Sequence, residues 1–115
     1  MATNQSVFSD IARDPLNPAP IYRDEQVIVL RDINPRAPVH LLIIPIMPLT
    51  SLAQIGPNQE SLIGHMFVVA EEMARREGVT GSGFRLVVNQ GDDSGQEIAH
   101  LHMHLLGGQK LGAMG

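Results

Sequence analysis

The sequence predicts an α+β domain: several antiparallel strands covered on one face by a long helix, with a minor helix near the N-terminus. Three observations carry this. Apolar residues recur at helical spacing between Gln59 and Glu77. VHLLIIP (Val39–Pro45) and GFRLVVN (Gly83–Asn89) have the length and composition of strands. AHLHMHLLGG (Ala99–Gly108) alternates His100, His102 and His104 with apolar residues, and an extended chain sorts that pattern into an imidazole face and a core face.

The totals set bounds. A chain of 115 residues supports one domain, here read as residues 1–115, with a real hydrophobic core. An aromatic content of 3% makes that core aliphatic. The absence of cysteine excludes disulfides, cysteine nucleophiles and cysteine-ligated metal centres. A net charge of −4, with Lys110 as the sole lysine, argues against a nucleic-acid surface but not against a small phosphate ligand. No secretion segment or membrane span is evident, so a cytoplasmic protein is expected, with no membrane partner.

In chain order, Met1–Gln5 reads as a flexible lead, and Ser6 caps a short helix carrying Val7, Phe8 and Ile11. DPLNPAP (Asp14–Pro20) is turn-rich because its prolines break regular structure. Arg23–Glu25 forms a turn before the β-rich run Val27–Leu30, which closes at Arg31–Asp32. INPRAP is a loop leading into Val39–Pro45, a central strand on which His40 shares a face with Leu42 and Ile44. SLAQI forms one helical turn. On the long helix Leu62, Met66, Val69 and Met73 form the buried stripe, widened by Ile63, Phe67, Ala70 and Ala74. Glu71–Arg75 and Glu72–Arg76 pair on the wet side, Gly64 permits close packing, and Gly78 stops the helix. Gln90–Glu97 is a polar connection to the histidine strand, which ends at Gly107–Gly108 before a short tail.

Three imidazoles on one strand face admit a structural network, a zinc site completed by His40 or Glu97, or nucleophilic catalysis. A neutral imidazole attacks phosphorus, its neighbours orient it or donate to phosphoryl oxygens, and the glycine-rich stretch just before the histidines offers backbone donors to phosphate.

AHLHMHLLGG resembles the histidine-triad family signature, and the likeness to the Hint-type nucleoside phosphoramidase branch extends through VFSDI, VIVLRDINPRAPVHLLIIP, the helix, FRLVVNQG and SGQE. It implies a HIT-like fold with about five antiparallel strands, one long helix and a short N-terminal helix. It also implies hydrolysis of purine nucleoside 5′-phosphoramidates to a nucleoside monophosphate and an amine through a nucleotidyl-histidine. His102 matches the nucleophile, His104 a phosphate contact, His100 a residue orienting the nucleophile, and His40 a fourth histidine that helps align His100. Asp32 matches the ribose-binding carboxylate. Val7, Phe8, Ile11, Leu30 and Ile33 match the base pocket, and Asn89, Gly95 and Gln96 a phosphate- and ribose-side wall. Glu97 stands where some relatives have serine near the leaving group, which implies an altered amine preference or an outward-turned carboxylate. Pro48 replaces a loop histidine, and Ile46 and Met47 a lysine-rich stretch.

The resemblance further implies a homodimer pairing sheets and helices, with no cofactor and no bound metal. The alternatives are dinucleoside polyphosphate hydrolysis, a purine nucleotide- or partner-binding protein with little catalysis, and a histidine-cluster metal-binding protein.

Overall fold

The computed structural model describes residues 20–115. The expected short helix with Val7, Phe8 and Ile11 lies outside the described residues. Among the described residues five strands form one antiparallel sheet: β1 Tyr22–Arg23, β2 Val27–Arg31, β3 Val39–Pro45, β4 Phe84–Val87 and β5 Met103–Gly107. Their spatial order is β1-β2-β3-β5-β4, which puts the apolar β3 in the centre as its composition requires. The long helix, α1 (Glu60–Arg76), comes between β3 and β4 in the chain.

The period-2 alternation of the strands divides the apolar residues between two clusters. Val27, Val29, Leu41, Ile43, Met103 and Leu105 meet Leu62, Met66, Val69, Ala70, Met73 and Ala74 of α1 in the main core. Each large aliphatic side chain buried there contributes roughly 1.5–3 kcal/mol. On the opposite face Ile28, Leu30, Leu42 and Ile44 form a smaller cluster, with Ile98 packed against it.

The turn between β1 and β2 is built by Asp24. Its Oδ1 accepts the backbone N–H groups of Gln26 at 2.8 Å and Val27 at 2.9 Å. Its Oδ2 lies 2.8 Å from the Tyr22 hydroxyl, which donates to it, and 2.6 Å from His65 Nε2 on α1. Burial alone would raise the Asp24 pKa, but these bonds outweigh it and hold the carboxyl at about 2.

The helix starts and stops as its termini dictate. A 3₁₀ turn, Pro57–Gln59, leads in, and the Gln59 side chain accepts the Gly56 N–H at 2.8 Å. At the far end Gly78 takes φ +75°, while Val79 N–H reaches the Ala74 carbonyl and Gly78 N–H the Arg75 carbonyl. This double closure satisfies carbonyls the helix leaves unpaired, and the left-handed residue suits glycine. Both expected ion pairs form, Glu71 with Arg75 and Glu72 with Arg76.

Phe67 does not widen the buried stripe: it is 52% exposed beside Val68, because both fall outside the arc that meets the sheet. Gly64 is exposed, and a Cβ there would meet nothing within 4 Å, so it permits no close approach within the described chain. The histidine strand is shorter than Ala99–Gly108. The Leu101 N–H leaves the ladder and donates to the Leu49 carbonyl at 2.6 Å, so regular pairing begins only at Met103. SLAQI forms its expected single helical turn, of 3₁₀ type, over Leu52–Gln54, capped by the Ser51 hydroxyl.

Candidate active site

The sheet brings His40 and His104 together although they lie on different strands. The β3–β5 register pairs His40 with Leu106 and Leu42 with His104, so the two histidines are diagonal neighbours on one face. His40 Nε2 sits 2.9 Å from His104 Nδ1. His40 Nδ1 accepts the Arg36 backbone N–H at 3.0 Å, which assigns the His40 proton to Nε2. That proton is directed toward His104 Nδ1, so the His104 proton belongs on Nε2, available to an acceptor outside the pair.

A second bonding chain fixes His102. Its Nδ1 lies 2.7 Å from the His100 carbonyl oxygen, which can only accept. The His102 proton therefore sits on Nδ1, and the in-plane lone pair on Nε2. His100 is wholly buried, with its ring Nε2 donating to the Pro45 carbonyl at the end of β3, 3.1 Å away. The His102 ring packs edgewise against His104, with centroids 5.0 Å apart and planes at 63°.

Burial pushes the His40 pKa down, with Asp32 opposing and Arg36 reinforcing the shift. His104 is lowered to about 4, first by burial and then by the neighbouring His102 and His40. Near neutral pH both rings are therefore uncharged, as the tautomer assignment requires.

Asp32 lies beside this cluster because its backbone N–H closes the β2–β3 hairpin on the His40 carbonyl at 3.0 Å. Its Oδ2 is 3.3 Å from His40 Nε2, and its Oδ1 accepts the Asn34 N–H at 2.8 Å. Asp32, His40 and His104 each offer one ligand atom within 4.8 Å of the others, a grouping able to hold a cation.

Among the remaining candidates, Leu30 sits in the small apolar cluster on the histidine face, whereas Ile33 projects from the β2–β3 loop with 91% exposure. Val7, Phe8 and Ile11 lie outside the described residues. Asn89 is half-buried where the chain leaves β4. Gly95 closes a 3₁₀ turn over Asp92–Ser94. Gln96 braces that loop: its Oε1 accepts the Gly91 N–H at 2.9 Å and its Nε2 donates to the Ile98 carbonyl at 3.2 Å. Glu97 is exposed.

The His100 carbonyl accepts from the His102 ring, and His40 Nε2 engages His104 Nδ1. The Arg36 N–H and the Pro45 carbonyl were missed. Both act through backbone atoms, which leave no residue-type signal; the i,i+4 spacing from Arg36 to His40 was the only available hint.

Among the described residues the sheet is packed on α1 at one face and carries a hydrogen-bonded imidazole cluster on the other, an arrangement with the donors and lone pairs that nucleophilic chemistry uses. The HIT domain family matches residues 17–111, and the chain belongs to that family. It is 40% identical over 110 residues to the purine nucleoside phosphoramidase of Escherichia coli K12, covering 96% of this chain and 92% of that protein. A HIT family hydrolase from Clostridium thermocellum superposes with a TM-score of 0.87 at 38% identity, covering 93% of both chains. A histidine triad protein from Clostridium difficile also gives 0.87, at 36% identity and 95% coverage of both. Fold, family and histidine cluster are together consistent with a nucleotide hydrolase. Among the described residues no helix is long and apolar enough to cross a membrane.

Proposed function

We propose that this protein hydrolyses purine nucleoside 5′-phosphoramidates to nucleoside monophosphate and amine through a nucleotidyl intermediate on His102. The observation that carries the reading is the 2.7 Å bond from His102 Nδ1–H to the His100 carbonyl, which leaves the nucleophilic lone pair on Nε2. In the first step His102 Nε2 bonds to the α-phosphorus, and the P–N bond breaks as the amine nitrogen takes up a proton from solvent, which the attacking water returns to solvent in the second step. In the second, water attacks the same phosphorus, the His102–phosphorus bond breaks, and nucleoside monophosphate leaves.

The His104 Nε2–H, set by the His40 pair, donates to a phosphoryl oxygen as negative charge builds there. Asp32 receives the ribose hydroxyls, and Leu30 with its apolar neighbours supports the base. Asn89, Gly95 and Gln96 wall the phosphate side, with Glu97 toward the leaving amine. The close likeness to the Escherichia coli phosphoramidase favours this substrate class over dinucleoside polyphosphates. The exposed Gly64, Phe67 and Val68 on α1 support pairing of two copies through that helix.

Hydrolysis of adenosine 5′-phosphoramidate by the wild type and by His102→Ala tests the reading. Turnover in the wild type and its loss in the variant are expected. Equal rates overturn the assignment of the nucleophile, and tight AMP binding without wild-type turnover favours a nucleotide-binding protein.

A further inference from the structure

We propose that Gln90 is a positioning residue for the nucleotide site, fixing the phosphate-side loop to the turn that also anchors the histidine strand. The proposal rests on the function above and gives a part to a residue outside the groups that touch substrate. Gln90 opens the polar connection that runs to Glu97, and its Oε1 accepts the Leu52 N–H at 2.7 Å. That bond joins residues 38 apart in the chain.

Within the connection, hydrogen bonds set shape rather than place. Gln96 Oε1 accepts the Gly91 N–H, the Ser94 hydroxyl donates to the Gly91 carbonyl at 2.6 Å, and Gly95 N–H donates to the Asp92 carbonyl at 3.0 Å. A loop closed on itself in this way still needs a fixed point on the body of the fold. The turn over Leu52–Gln54 supplies one. Gln54 Oε1 accepts the Thr50 N–H at 2.6 Å and the Ser51 N–H at 3.2 Å, and the Ser51 hydroxyl accepts the Ala53 N–H at 3.0 Å. The same segment receives the histidine strand, because the Leu49 carbonyl accepts the Leu101 N–H. Leu101 lies between His100, whose carbonyl orients the His102 ring, and His102 itself. One braced segment thus holds the phosphate-side loop through Gln90 and the backbone of the nucleophile through Leu101.

Breaking the Gln90 bond frees the loop to leave its binding position without altering the reacting groups. A site whose competent form is only partly populated binds more weakly by that fraction, while the bound complex reacts as before. One hydrogen bond corresponds to a weakening of about two- to tenfold. KM should rise by that factor, with kcat within about twofold of the wild type.

The test removes the bond from either end. Gln90→Met keeps the length of the side chain and loses the acceptor. Leu52→Pro loses the donor and suits the backbone: Leu52 is the first residue of its turn, Ser51 before it is extended (φ −151°, ψ 146°), and Leu52 is 41% exposed. AMP affinity by titration calorimetry and adenosine 5′-phosphoramidate kinetics are compared for the wild type, both single variants and the double variant. Urea unfolding checks that each is folded. Each single variant should weaken AMP binding about two- to tenfold, and the double variant no further than either single one. Wild-type AMP affinity in Gln90→Met, losses that multiply in the double variant, or a fall in kcat at unchanged KM overturns the assignment. A wild type that binds AMP without turnover, with the same shared loss in the variants, refutes the proposed hydrolysis and leaves Gln90 in its role. A wild type that neither binds AMP nor turns over phosphoramidate overturns both.

Discussion

The two faces of the sheet use the same strands for opposite ends. On the helix side Leu41, Ile43, Met103 and Leu105 are all but inaccessible and sealed by α1. On the other, the intervening positions carry His40, His102 and His104 beside a four-residue apolar cluster. The alternation lets one segment supply half a core and half of the candidate site. Apolar packing on one side buries the strand against α1, while the imidazoles on the other are set by hydrogen bonds. Stability and chemistry should accordingly separate by residue parity, and substitutions on neighbouring positions can break or sharpen that separation.

The largest effect is expected at His102. His102→Ala should lower kcat/KM for adenosine 5′-phosphoramidate by at least about 10³-fold, as removal of a covalent nucleophile does. Its stability to urea should fall by no more than about 1–3 kcal/mol, the cost of taking the His102 N–H from the buried His100 carbonyl. The adjacent parity gives the converse: Met103→Ala should cost about 2–5 kcal/mol in urea unfolding, because it opens a cavity in the sealed core. The kcat of the remaining folded protein should stay near that of the wild type. If His102→Ala unfolds the protein, or Met103→Ala abolishes catalysis without destabilising it, the two faces are not separable.

The histidine face should also give stability a pH dependence. His104 has a folded-state pKa of about 4 against the ordinary 6.5, so between these values the unfolded chain binds more protons than the folded one. Stability is then fully present above about 6.5 and declines as pH falls through that window toward about 4. Denaturant midpoints of wild type and His104→Gln, measured from pH 7.5 to 4.5, should diverge in slope, with the variant flatter. Parallel curves would remove His104 from the account.

Gly64 offers the smallest change. Because a Cβ there meets nothing within 4 Å of this chain, Gly64→Ala should stabilise an isolated subunit by about 1 kcal/mol through helix propensity. If two copies pair through this surface, the added methyl should instead shift the monomer–dimer equilibrium, read by analytical ultracentrifugation.

Much of this was legible in the sequence because it is local. The helical stripe from Leu62 to Met73, the Glu–Arg pairs and the stop at Gly78 follow from spacings within a few residues. The histidine alternation identifies a polar and an apolar face, although the backbone departs from the ladder before Met103. The tautomers were not legible. They depend on the carbonyls of His100 and Pro45, the Arg36 N–H, and a β3–β5 register joining residues 64 apart. Phe67 escaped for a related reason: periodicity gives the direction of an apolar stripe but not the width of the arc a sheet can cover.

On the proposed mechanism His102 Nε2 forms a bond to phosphorus. Rapid acid quench of wild-type protein turning over adenosine 5′-phosphoramidate, followed by peptide mass spectrometry, tests it most directly. An adenylyl adduct on His102, absent from His102→Ala, is expected. An adduct on His100 or His104, or full turnover of the His102→Ala protein, would contradict it.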